Sequence, residues 1–197
     1  MKYVQSLRDA FRKRPSFSLG DVRRHFRQQK LTPAYAKLMM HDLVRRGQVH
    51  RIVNGIYTFL PEMQVVGNAF QPYYYGLQDA LSLHGLWEQE TNPVVITPRK
   101  IRPGLRVFLG NNYVVRRIDR RLFFGFNLIP YGDFWIYVSD MEKTLIDYCH
   151  FREPLSDDAL AEIQSRIDPT RLNAHLALCP PWLGKRVRGL LQNDANK

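Results

Sequence analysis

Four acids, Asp133, Asp140, Glu142 and Asp147, fall close together near the end of an expected strand, the placement from which a metal-dependent nuclease draws its ligands. Their spacing argues against that chemistry. Asp140 and Glu142 stand where helix-capping acids belong, and Glu142-Lys143 lacks the intervening residue of the common nuclease Glu-x-Lys pair. His84, a lone imidazole in Leu83-His84-Gly85, reads as a hydrogen-bonded core residue rather than a base or ligand. Cys149 and Cys179 lie thirty residues apart without metal-ligand spacing, and Gly104, Gly110, Gly125 and Gly132 are scattered among turns instead of forming a phosphate-cradling loop. The sequence therefore leads us to expect no catalytic site, no metal and no cofactor. The chemistry it does suggest is recognition of a polyanion, by Tyr35, Lys37, His41 and Arg45.

Those four residues need a helix to present them. Thr32 can accept from the first free N–H groups, Pro33 suits the first helical position, and Gly47 can take the left-handed conformation that ends the helix. Ala36, Met39, Met40, Leu43 and Val44 make one apolar face, which leaves Tyr35, Lys37, His41 and Arg45 outside it. After Gly47 the pattern has period two, and Asn54-Gly55 signals a hairpin with a type I′ turn. Pairing Val53 with Ile56 sets Ile52 against Tyr57 and Arg51 against Thr58, with Arg51 and Thr58 looking outward. Upstream, a helix over 2–13 is expected, closed by Arg14-Pro15. A second follows from Leu19 to about Gln28, capped by Ser18, with Arg23, Arg24 and Arg27 outward. Helix, helix, recognition helix and ribbon is the order of a winged helix-turn-helix, which sets its helix in the major groove and its wing on the backbone or minor groove. The expected DNA-contacting set is Thr32, Tyr35, Lys37, His41, Arg45, Arg51, Asn54, Arg23 and Arg24.

Charge supports this. The chain of 197 residues has a formal charge of +11. Residues 1–60 hold 13 Lys and Arg against Asp9, Asp21 and Asp42, whereas residues 61–197 hold 16 against 15 acids. So uneven a split points to a polyanion met by the first third alone. Length allows two domains, expected at 1–61 and 62–197, and the 45% apolar content argues against disorder outside the termini. No apolar run approaches a membrane span, no secretory leader is evident, and the two thiols read as ordinary buried cysteines, so a cytoplasmic protein is expected.

Beyond the ribbon, 63–72 reads as a connector or sheet edge and 76–87 as an apolar helix stopping at His84-Gly85. Strands are expected at 93–98, 106–109, 113–118, 122–126 and 134–138, followed by a helix over 141–151 opened by a capping box in Ser139-Asp140-Met141-Glu142. Three further helices are expected over 156–167, 169–178 and 182–191, with 193–197 frayed. The class is α+β: a winged helix-turn-helix, then an α+β domain with a mostly antiparallel sheet and carboxy-terminal helices. Tyr73-Tyr74-Tyr75 suggests either a base-stacking platform or, better, junction packing. Arg99, Lys100, Arg102 and Arg106 form a second small basic run with three readings: contact with flanking DNA, contact with an acidic partner, or no role.

The basic winged helix, followed by Tyr75-Gly76-Leu77-Gln78-Asp79-Ala80-Leu81-Ser82-Leu83-His84-Gly85-Leu86, Pro93-Val94-Val95-Ile96-Thr97 and Val138-Ser139-Asp140-Met141-Glu142-Lys143-Thr144-Leu145-Ile146-Asp147, resembles the AbiEi-type antitoxins of type IV toxin–antitoxin systems. The resemblance covers most of the chain. It implies that the winged helix represses the antitoxin–toxin operon and that the second domain counters a nucleotidyltransferase-type toxin. It further implies that Tyr35, Lys37, His41 and Arg45 read the operator, with Arg51 and Asn54 in the wing. Asn54 departs from the basic residue that often precedes the wing glycine in that family. Inverted repeats in the family's operators imply a second copy on DNA. The other readings are a nucleic-acid-processing enzyme built on the second domain and a transcription regulator with no toxin.

Overall fold

The first helices form where their caps allow. In the structure, a computed structural model describing residues 3–86 and 91–194, α1 (Val4–Phe11) buries Leu7 and Phe11. Ser18 caps α2 (Leu19–His25) in a reciprocal box: its hydroxyl accepts from Asp21 N at 3.0 Å, and the Asp21 carboxylate accepts from Ser18 N at 2.8 Å. The Ser18 hydroxyl also donates to the Asp21 carboxylate at 2.6 Å, and this bond, with the one from Ser18 N, holds the Asp21 carboxyl below its ordinary range. Thr32 Oγ1 likewise accepts from Tyr35 N at 3.2 Å to open α3 (Pro33–Arg45), and Gly47 takes φ +66° beyond its end. Leu7, Phe11, Phe17, Val22, Phe26, Met39, Met40 and Leu43 close one core.

Phe17–Ser18 is a short strand, β1, that the sequence pattern does not announce. It pairs with β3 (Ile56–Thr58), which pairs in turn with β2 (His50–Val53), giving the order β1-β3-β2. Val53 does face Ile56, but the rest of the expected register is corrected. A bulge at Ile52 places Arg51 opposite Tyr57 and His50 opposite Thr58. Ile52 is thereby buried, and Thr58 faces inward with its hydroxyl accepting from Leu60 N at 2.9 Å. Nor is the turn type I′: Gly55 takes φ +79°, while Asn54 keeps φ out of the left-handed region.

The remaining chain is a mixed α+β body. Residues Met63–Phe70 form a 3-10 helix instead of a connector, burying Val65, Val66, Ala69 and Phe70. A six-stranded sheet follows, built from β4 (Tyr74–Tyr75), β5 (Val94–Thr97), β6 (Gly104–Phe108), β7 (Asn111–Arg117), β8 (Phe126–Tyr131) and β9 (Phe134–Ser139), in the order β6-β7-β5-β4-β9-β8. Three of its five pairings are antiparallel. The tyrosine triplet is buried in and beside β4, which closes it to nucleobases. The helix expected from Gly76 begins at Gln78 as α4 (Gln78–Leu83), because Leu77 takes φ +58°, outside the helical region; Gly76 lies against Ile96, where a Cβ would approach its Cδ1 to 2.5 Å. Trp87, at the expected end of that helix, lies outside the described residues.

The strand expected at 122–126 is absent. Asp119 accepts from Arg121 N at 2.9 Å to start a 3-10 turn, Arg120–Leu122, and Gly125 at φ +69° breaks extension, so the strand runs from Phe126 instead. Four helices close the chain: α5 (Met141–Phe151), α6 (Asp157–Arg166), α7 (Pro169–Ala177) and α8 (Pro181–Asp194). Helix α8 thus includes Asn193 and Asp194, while 195–197 lie outside the described residues. Asp140, rather than Ser139, caps α5 by accepting from Lys143 N at 2.7 Å. Helix α5 is central, and every residue from Met141 to Cys149 is buried.

The hairpin belongs to more than the amino-terminal core. Ile52 is part of a cluster with Val65, Phe70, Tyr73, Tyr75 and Phe108, against which Val53, Ile56 and Ile101 also pack.

Candidate nucleic-acid interface

Helix α3 is built to show one face to solvent. Ala36, Met39, Met40 and Leu43 are buried, and at about 100° per residue the direction opposite them is occupied by Ala34, Leu38, His41 and Arg45. All four are exposed, with Tyr35 and Lys37 exposed on either flank. Tyr35, Leu38, Met39, His41, Asp42 and Arg45 line a shallow depression along this face. Tyr35 is steadied by the edge of the Tyr3 ring at a centroid distance of 6.0 Å.

Leu38 is the residue that sequence reasoning missed. It is 63% exposed in the middle of the face, an apolar side chain set among polar and basic ones. The signal was present: Leu38 lies outside the arc defined by Ala36, Met39, Met40 and Leu43.

Arg45 is not a free cation. Asp42 accepts from its guanidinium at 3.0 Å and pairs with Arg46 at 3.0 Å, and these arginines hold the Asp42 carboxyl below its ordinary range. Arg24 is similarly paired with Asp21 at 3.1 Å, whereas Arg23 is exposed on the same helix. Both pairs are solvated and weak, so a phosphate can compete for either arginine. Thr32 has its oxygen engaged as the α3 cap, at the end of the helix that would lead into a groove. Arg51 and Asn54 are exposed on the hairpin, apart from the α3 face. The structure thus gathers Tyr35, Lys37, His41 and Arg45 on one helix and leaves Arg23, Arg24, Arg51 and Asn54 on flanking elements.

Three of the four acids considered for metal chemistry are engaged in contacts of the fold. Asp140 Oδ2 contacts His175 Nε2 at 2.9 Å, and Glu142 Oε1 accepts from Asp168 N at 2.7 Å. Asp147 accepts from the Tyr74 hydroxyl at 2.8 Å and pairs with Lys143, both members of that pair being fully buried. Burial pushes the Asp147 carboxyl up, against the pull of Lys143. Asp133 is exposed on the β8–β9 turn. Among the described residues, no three His, Cys, Asp or Glu side chains come together as a metal site. His84 Nε2 bonds to the Ser139 carbonyl oxygen at 2.8 Å.

No protein-family model matches the chain, and no curated protein matches its sequence. No helix among the described residues is long and apolar enough to cross a membrane.

The three stretches that carry the antitoxin resemblance are neighbours in space. They supply β4 with α4, then β5, then β9 with α5, and β5, β4 and β9 are adjacent in the sheet. Their polar residues tie these elements together: Asp79 accepts from Val94 N at 3.2 Å and Ser139 meets Thr144 at 2.7 Å, while Tyr74, just before the first stretch, donates to Asp147 at 2.8 Å.

Proposed function

We propose that the chain is a sequence-specific, double-stranded DNA-binding repressor in which α3 lies in the major groove. The observation that carries this reading is the exposed Ala34–Leu38–His41–Arg45 stripe, flanked by Tyr35 and Lys37, on a helix fixed by a cap at its start and by Gly47 beyond its end. The order α1-β1-α2-α3-β2-β3, in a segment where basic residues far outnumber acids, supports a winged helix-turn-helix whose ribbon approaches the DNA backbone. Base reading falls to the amino-terminal half of α3, through Tyr35, Lys37 and Leu38. Arg23, Arg24 and Arg51 serve as phosphate contacts.

The resemblance extends the proposal to an antitoxin that represses its own operon and counters a nucleotidyltransferase-type toxin. The stretches carrying it are largely buried and describe a shared body, so the toxin-facing surface lies on other residues.

Fluorescence anisotropy tests the DNA reading, with the chain titrated onto its own upstream duplex and a scrambled duplex across a salt series. A preference of roughly a thousandfold or more is expected, Lys37→Ala should reduce that preference, and Arg23→Ala should weaken binding to both duplexes and lower the salt slope by about one. Equal, steeply salt-dependent affinity for both duplexes would reduce the protein to a nonspecific polyanion binder. Failure to rescue cells from any neighbouring gene product would remove the antitoxin function while leaving the repressor.

A further inference from the structure

Asp79 is a buried acid of which the fold uses only half. Its side chain is 2% exposed, and Oδ2 accepts from Val94 N at 3.2 Å. Oδ1 receives no hydrogen bond and no cation among the described residues. It is not sealed away either, since the buried side-chain atoms shut from solvent without a partner are Arg116 Nε, Glu142 Oε2 and His150 Nδ1. Oδ1 therefore opens on the cleft of about 880 Å³ that Asp79 lines.

The walls of this cleft come from the 3-10 helix over 63–70, from α4, from the approach to β5, from the β6–β7 turn and from the end of β8. That turn has two residues, Leu109 at φ +50° and Gly110 at φ +84°, both positive as a type I′ turn requires, and it sets Asn111 and Asn112 at the cleft. The side-chain amides of Asn92, Asn111 and Asn112 make no hydrogen bond among the described residues. Met63, Ile129 and Tyr131 supply an apolar wall. Among the described residues Asp79 is the one acid lining the cleft, and no lysine, arginine or histidine lines it.

We infer that this cleft binds a small organic cation, its amino or guanidinium group donating to Asp79 Oδ1 and its body resting on the amides and the apolar wall. The site stands apart from the repressor reading and goes beyond it. An anion would meet a carboxylate and no positive charge, and a metal ion would find a single acid. An organic cation brings both the donor and the charge that the buried carboxylate lacks, while amide oxygens accept its further N–H groups. The cleft has the size of an ordinary small-molecule site, about 300–1,000 Å³. The fold alone would be served as well by an amide, which keeps an oxygen for Val94 N. Instead burial pushes the Asp79 carboxyl up to about 7, a perturbation typical of functional sites. With a formal charge of +11, the rest of the chain repels cations, which favours this one carboxylate over adventitious surface binding.

The test titrates agmatine, which carries a guanidinium and an ammonium group, into the full chain by calorimetry at pH 8. Glutarate is the anionic control, and thermal unfolding confirms that each variant is folded. One saturable site for agmatine is expected, with no heat from glutarate. Asp79→Asn should weaken agmatine binding by about tenfold or more. In wild type the affinity should fall about tenfold per pH unit below 7, as the carboxyl takes up its proton. Tyr75 and Tyr131, the other ionisable groups that feel the Asp79 charge, are pushed up by burial and stay protonated across that range. Three results would each overturn the inference: no saturable agmatine binding below about 10 mM, equal affinity in folded Asp79→Asn, or an affinity that ignores pH below 7.

Discussion

Replacing Asp79 by Asn should change the pH dependence of stability in a calculable way. Asp79 is 2% exposed, its described hydrogen bond is the one from Val94 N, and burial pushes its carboxyl up to about 7. An unfolded aspartate titrates near 3.9, so its contribution is fully present below about pH 4, where both states hold the proton. As pH rises toward 7 the unfolded chain releases that proton and the folded chain keeps it. Stability therefore falls by about 1.4 kcal/mol per pH unit, about 4 kcal/mol in all, and then levels off. The amide keeps an oxygen for Val94 N and removes the charge. Urea unfolding of both proteins from pH 4 to pH 8 should give similar stabilities at the acid end and a variant more stable by up to about 4 kcal/mol at pH 8. Distant carboxyls titrate alike in both proteins and cancel in the difference. A difference that stays constant with pH, or an Asp79→Asn variant less stable than wild type at pH 8, would refute the reasoning.

Two other substitutions probe the same body. Lys143→Met should cost about 3–5 kcal/mol in urea unfolding because it strands the buried Asp147, and Lys143→Met/Asp147→Asn should recover much of that loss; additive losses would argue against a coupled pair. Gly67→Ala should cost about 3 kcal/mol, since its Cβ would meet Cε2 of the buried Tyr73 ring at 2.1 Å, and a cost below about 1 kcal/mol would mean that the ring has room to move.

Helices were legible where caps and period agreed. Thr32, Pro33 and Gly47 bracket α3 in the sequence as they do in the fold, and Ser156 and the Asp168-Pro169 pair open α6 and α7. Strands were less so, because pairing decides them. Phe17–Ser18 is too short to show alternation and exists through its bonds to β3. Phe123 and Phe124 look like strand residues, but Phe123 packs its ring on Tyr74 and Phe124 packs against His175. The bulge at Ile52 was invisible because the residues that bury Ile52, from Val65 to Val138, all lie beyond the hairpin in the chain. On the candidate face of α3, counting charged residues found Lys37 and Arg45 but passed over Leu38, which is marked by its direction and not its polarity.

Pro130 sits inside β8 at the outer edge of the sheet, opposite Trp135, with unbroken register from Phe126 to Tyr131. A proline persists in such a ladder when its nitrogen points away from the neighbouring strand. The free margin of β8 therefore lacks one donor and carries a pyrrolidine ring where an incoming backbone would need to lie flat. Leu128, Trp135 and Tyr137 are exposed nearby, a combination that would otherwise invite another chain to stack on as a seventh strand. One residue's chemistry thus makes this edge of the sheet a poor template for a further strand.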